Sequence, residues 1–131
     1  ATASPAYPED FLAKVRKARE IRGLRFIHIH SSCPPGWKFS SELSVKIARL
    51  AVETKIFPLY EIENGRKYTL TVQPKGLPVS EYFKLQGRFH HLDAKAVQAI
   101  QANVEEEWEM LMARMPAAKR RRSKSARDVT R

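Results

Sequence analysis

The sequence predicts an α/β fold, and three observations predict it. A helix-start signal at Pro8-Glu9-Asp10 leads to a short apolar run at residues 24–30, closed by Pro34-Pro35. Asn64-Gly65 separates two alternating segments, which is the strongest short signal for a β-hairpin. After Asp93, apolar residues recur at steps of three and four, the period of an amphipathic helix.

Residues 1–4 suit the end of a strand. Pro8 near the first helical position, with acids in the first turn, then opens a helix. Phe11, Val15 and Ala18 fall on one face with Leu12 beside it, and Lys14, Arg16, Lys17 and Arg19 cover the rest. Gly23 suits the C-terminal cap. Residues 24–30 carry few charges and read as a strand buried on both faces, hence part of a parallel sheet. A loop at the carboxyl end of such a strand is where ligands sit in α/β folds, and Cys33 lies in it.

Ser40-Ser41-Glu42 opens a second helix, with Leu43, Ile47, Leu50 and Thr54 on one face, and it stops before Pro58. Leu59 to Glu63 and Arg66 to Val72 flank the Asn-Gly turn. Pro74, Gly76 and Pro78 mark a loop. A short helix within residues 79–89 breaks near Gly87. Asp93 caps the last helix, whose inner face carries Val97, Ile100, Val104, Trp108, Leu111 and Met115.

The chain of 131 residues suits one domain or part of one. Its net charge of +10 is uneven: residues 116–131 hold seven basic residues against Asp128, which leaves the rest only mildly basic. A nucleic-acid-binding module would rest on that tail alone, and the tail has no aromatic residue for stacking bases. It reads as a solvated, disordered segment. No apolar run is long enough to span a bilayer. A single cysteine excludes an internal disulfide, and the expected compartment is the cytoplasm.

Cys33 sits in Ser31-Ser32-Cys33-Pro34-Pro35-Gly36-Trp37. Prolines stiffen the loop, and Gly36 allows close backbone approach. The residue chemistry alone leaves two readings open, a buried small hydrophobe or a metal ligand. One cysteine cannot hold an iron–sulfur cluster by itself. His28 and His30 form His-x-His-x-x-Cys with it but lack a fourth ligand, and histidines satisfied within a sheet are the simpler reading. His90-His91 read as a surface pair or helix end, and Glu105-Glu106-Glu107 with Glu109 as a solvated helix face.

The run from Phe26 through Ser31-Ser32-Cys33-Pro34-Pro35-Gly36-Trp37 resembles the strand and loop of the beta subunits of 2-oxoacid:ferredoxin oxidoreductases, pyruvate:ferredoxin oxidoreductase among them. Ile47-Ala48-Arg49-Leu50-Ala51-Val52-Glu53-Thr54 is similar to that family's next helix. Phe57-Pro58-Leu59-Tyr60-Glu61, the Asn64-Gly65 hairpin, Pro78-Val79-Ser80-Glu81-Tyr82 and Leu85-Gln86-Gly87-Arg88-Phe89 match in order and spacing. Upstream, Ala1-Thr2-Ala3-Ser4 and Ala6-Tyr7-Pro8-Glu9-Asp10 resemble the preceding strand and helix start. The last helix is similar more loosely, and the tail after Met115 does not match. Ser32 stands where the family often has Pro.

The resemblance implies the C-terminal part of a thiamine-diphosphate-binding parallel-sheet domain, with a β-hairpin and a C-terminal helical arm. The expected divisions are 1–58 for the end of the thiamine-diphosphate domain, 59–92 for a hairpin and short helix, 93–115 for the last helix, and 116–131 for the basic tail. It implies oxidative decarboxylation of pyruvate or a related 2-oxoacid to an acyl-CoA, with electrons leaving through a [4Fe–4S] cluster to ferredoxin. Cys33 is then one cofactor-binding, metal-ligating thiolate. The diphosphate-and-magnesium motif, Gly-Asp-Gly followed by Asn, is absent here, as are further cysteines. A fragment or split-gene product is therefore expected, inactive alone and partnered by an upstream half, the alpha and other subunits, and ferredoxin.

Overall fold

The computed structural model describes residues 1–116. The expectation for the basic tail falls almost wholly outside them. The architecture is mixed α/β, with a small parallel sheet, an antiparallel hairpin and a long C-terminal helix.

Strand β1 (Thr2–Ala3) runs parallel to β2 (His28–Ile29), in the register Thr2 with His28 and Ala3 with Ile29. Helix α1 (Pro8–Glu20) makes the crossover between them, as parallel strands require. Proline occupies its first turn with Glu9 and Asp10, as the sequence indicates. Its inward face differs from the expected one. Lys14 is the buried residue of α1, while Leu12 is half exposed. The ammonium donates to Thr2 O at 2.8 Å, Asp10 Oδ2 at 2.6 Å and Thr71 Oγ1 at 2.7 Å. An ammonium has three donors, and here each has an acceptor. That satisfaction is what allows a lysine inside.

The run at residues 24–30 forms a strand only at His28–Ile29, and it is not buried on both faces. Leu24 is 98% exposed, Phe26 74% and Ile29 45%. The apolar composition is that of a central parallel strand. Among the described residues, however, β1 is its one partner, and nothing covers its outer face.

A short helical turn α2 (Pro34–Trp37) follows, then a 3-10 turn (Ser41–Leu43) that leads into α3 (Ser44–Glu53). Strands β3 (Tyr60–Glu63) and β4 (Lys67–Leu70) form the hairpin. Asn64 (φ 51°) and Gly65 (φ 68°) both take positive φ, and Arg66 N–H donates to Glu63 O at 3.1 Å. The ladder closes at Glu63 with Lys67, so Arg66 belongs to the turn rather than the strand. The Thr2 side chain joins the parallel pair to the hairpin. Thr2 Oγ1 donates to Pro58 O at 2.7 Å and accepts from Tyr60 N–H at 2.9 Å.

Helix α4 (Ser80–Phe83) is short, and a 3-10 turn (Gly87–Phe89) follows the break. Helix α5 (Ala94–Ala113) is capped by Asp93, whose Oδ1 accepts Ala96 N–H at 2.7 Å. Ile47, Ala51, Val79, Tyr82 and Phe83 form the main core, against which Trp37, Phe57, Val97, Ile100 and Val104 pack. Trp108, Met112 and Met115 form a second cluster with Tyr60, Tyr68 and Leu70. Glu105 leaves the expected solvated acidic face and pairs with Lys55 at 2.7 Å, while Glu106 and Glu107 stay exposed. Among the described residues no helix is long and apolar enough to cross a membrane.

Candidate functional site

The carboxyl ends of β1 and β2 point the same way, and the loop holding Cys33 leaves the end of β2. Ladder bonds extend past both strands, with His28 N–H donating to Ala1 O at 2.8 Å and His30 N–H to Ala3 O at 2.9 Å. The loop therefore starts from a fixed strand end.

Cys33 precedes the α2 turn in an extended conformation, and its carbonyl accepts Trp37 N–H at 2.9 Å. Pro34 and Pro35 fill the first helical positions, where their missing N–H groups cost nothing. The turn ends at Lys38, in the left-handed region at φ 56°. The thiol is free and exposed. Cys33 is exposed among the described residues, so the reading of it as a buried small hydrophobe is corrected. A Cβ on Gly36 would lie 3.3 Å from Sγ, so glycine keeps space beside the sulfur. Upstream, Ser32 Oγ donates to Ser44 O at 3.2 Å and ties the loop to the start of α3.

The histidines separate into two environments. His28 is exposed and meets Phe57 edge-on at 5.2 Å. His30 is half-buried among Trp37 at 5.7 Å, Phe57 at 5.0 Å and Tyr82, whose hydroxyl lies 3.4 Å from Nε2. Its Nδ1 is buried with no hydrogen-bond partner among the described residues. Burial pushes the His30 pKa below its ordinary value, and the charges of Arg88 and His28 act in the same direction. Among the described residues no group of three or more His, Cys, Asp or Glu side chains is arranged to hold a metal ion. His90 and His91 are exposed, far along the chain after the 3-10 turn.

The residues missed at the sequence level are those packed on the loop from the other side. The Arg88 guanidinium lies 3.8 Å from the centre of the Trp37 ring, and Gly87 N–H donates to Lys38 O at 3.0 Å. Their signal was present in Leu85-Gln86-Gly87-Arg88-Phe89, a motif without an assigned role.

No family model matches the chain. Curated relatives do. The chain is 49% identical over 116 residues to the ketoisovalerate oxidoreductase subunit VorB of Pyrococcus horikoshii, covering 85% of this chain and 36% of that subunit. It is 47% identical over 112 residues to the pyruvate synthase subunit PorB of Methanocaldococcus jannaschii, covering 85% and 37%. It is 40% identical over 131 residues to PorB of Pyrococcus furiosus, covering 85% and 40%. These relatives do not favour a nucleic-acid-binding module. The chain spans a little over a third of the length of the relatives it matches, and over that stretch it is similar to the ketoisovalerate oxidoreductase subunit VorB and the pyruvate synthase subunit PorB.

Proposed function

We propose that the chain is the C-terminal part of the thiamine-diphosphate-binding beta subunit of a cytoplasmic 2-oxoacid:ferredoxin oxidoreductase. The whole enzyme would decarboxylate pyruvate or a related 2-oxoacid oxidatively to an acyl-CoA and pass the electrons to ferredoxin. The supporting observation is the 49% identity to a ketoisovalerate oxidoreductase subunit, with an exposed thiol at the carboxyl end of a parallel strand. In this reading residues 1–58 complete the thiamine-diphosphate domain, residues 59–92 extend it, and residues 93–115 form the helical arm. The partners are the upstream part of the beta subunit, the alpha and other subunits, and ferredoxin.

Cys33 fits one ligand position of a [4Fe–4S] cluster. A thiolate is the ligand such iron prefers, the sulfur is exposed, and Gly36 leaves room beside it. The remaining ligands would come from outside the described residues, as would the groups that hold thiamine diphosphate and magnesium. When bound, a cluster accepts and passes on single electrons. This chain's own contribution is to present the sulfur from a loop anchored at Ser32 and Trp37.

Iron analysis and low-temperature electron paramagnetic resonance of the assembled oxidoreductase test the assignment. Cys33→Ala lowers iron content and slows reduction of ferredoxin. A cluster signal at full occupancy in that variant overturns the ligand role.

A further inference from the structure

We propose that residues 86–88 form a positioning clamp that sets the Cys33 loop, an inference that rests on the reading of Cys33 as a cluster ligand. The loop cannot hold itself. The α2 turn has no buried residue, and a single helical turn is unstable without outside support. Three contacts from residues 86–88 supply that support.

The first is a close main-chain approach. Gly87 N–H donates to Lys38 O at 3.0 Å. A Cβ at Gly87 would lie 2.8 Å from Lys38 Cβ and 3.1 Å from Lys38 O. Any side chain there would push away the residue that ends the α2 turn. Lys38 is itself held at positive φ, a conformation that persists where neighbours enforce it.

The second contact sets a cation against a ring. The Arg88 guanidinium lies 3.8 Å from the Trp37 ring centre and 4.5 Å from that of Phe89. Its orientation is fixed, since Nε donates to Gln86 Oε1 at 3.0 Å and Nη2 to the Tyr82 hydroxyl at 3.3 Å. A flat cation stacks on an indole face in a way an ammonium does not.

The third contact is the base of the clamp. Gln86 is fully buried, and its Nε2 donates to Tyr82 O at 2.6 Å. The Tyr82 hydroxyl lies 3.4 Å from His30 Nε2, at the other stem of the loop. Both stems of the Cys33 loop thus meet one rigid group built on Tyr82, Gln86 and Arg88. Arg88 acts on Cys33 through Trp37 and touches no reacting atom, which makes it a positioning residue.

The test is hydrogen exchange on the assembled oxidoreductase, read at the Trp37 and Phe39 amides, with iron release to a chelator measured in parallel. Arg88→Ala raises exchange there by about fivefold, the factor expected for one stacked cation–π contact, and speeds iron release. Arg88→Lys keeps the charge and recovers less than half of the protection. Trp37→Ala removes the same contact along with its core packing, so Arg88→Ala has a much smaller effect at the Phe39 amide in the Trp37→Ala background than in the wild type. Unchanged exchange in Arg88→Ala, or fully additive effects of the two substitutions, overturns the clamp. Cys33→Ala separates the two readings. Loss of iron with the amides still protected leaves the ligand role standing and the clamp judged on Arg88. Full iron in Cys33→Ala removes the cluster reading, and with it the purpose assigned to the clamp.

Discussion

The Lys14 ammonium and the Thr2 carbonyl lie 2.8 Å apart, and both residues are sealed from solvent. This contact joins α1 to β1, and the same ammonium reaches Asp10 and Thr71. Lys14→Met keeps the length of the side chain but leaves a carboxylate, a carbonyl and a hydroxyl short of a donor. The expected loss of stability is about 3 kcal/mol, the scale for breaking a buried pair. Urea denaturation followed by circular dichroism measures it. A change in midpoint corresponding to under about 0.5 kcal/mol, the range of ordinary surface substitutions, would show that Lys14 does not anchor α1 to β1.

His30 gives the fold a defined acid sensitivity. Its folded pKa lies below the ordinary 6.5, chiefly through burial. As pH falls below 6.5, the unfolded chain takes up a proton that the folded chain resists, so stability contributed above that pH is lost. His30→Phe retains a ring among Trp37, Phe57 and Tyr82 and removes this titration. Denaturation midpoints measured from neutral pH down to about one unit below the free-histidine pKa should fall less steeply in the variant. Equal slopes in the two proteins would rule His30 out as the source.

The outer side of β2 leads to a prediction about association. Leu24 and Phe26 are largely exposed beside a strand that, among the described residues, has one unpaired edge. Such surfaces pair with other chains. The chain by itself should self-associate in sedimentation experiments, and Leu24→Ser with Phe26→Ser should shift it toward smaller species. A compact, monodisperse wild-type monomer that unfolds cooperatively would count against this.

A fourth expectation concerns the cofactor. The sequence has no Gly-Asp-Gly motif followed by Asn. Titration calorimetry of the chain alone with thiamine diphosphate and magnesium should give no heat of binding. Micromolar affinity would contradict the proposal that the upstream part supplies this site.

Local signals in the sequence located most elements. Pro8, Asn64-Gly65 and Asp93 each act on the few residues beside them, so the α1 start, the hairpin turn and the α5 cap were legible. What was not legible depends on distant partners. Lys14 reads as a solvated charge until Thr71 and Thr2 are brought to it. Residues 24–30 have the composition of a covered strand, yet no sequence pattern tells whether the cover is present. At the candidate site, Cys33 and its glycine were visible in the loop. Arg88 was not, because nothing in its own segment reveals that Trp37 lies above it.

The two strand pairings differ in the stretch of chain each must close. β3 meets β4 across the short turn at residues 64–66, whereas β1 meets β2 only after the whole of α1 has folded back. Closing a short loop costs less entropy and takes less time, and hairpins form within about 1–10 μs. Distant parallel pairs form more slowly. The hairpin is therefore an early event and the β1–β2 pair a late one. The Cys33 loop springs from that late pair, so its sulfur reaches its final position near the end of folding. Any insertion of iron that depends on that position has to follow the closure of the parallel pair.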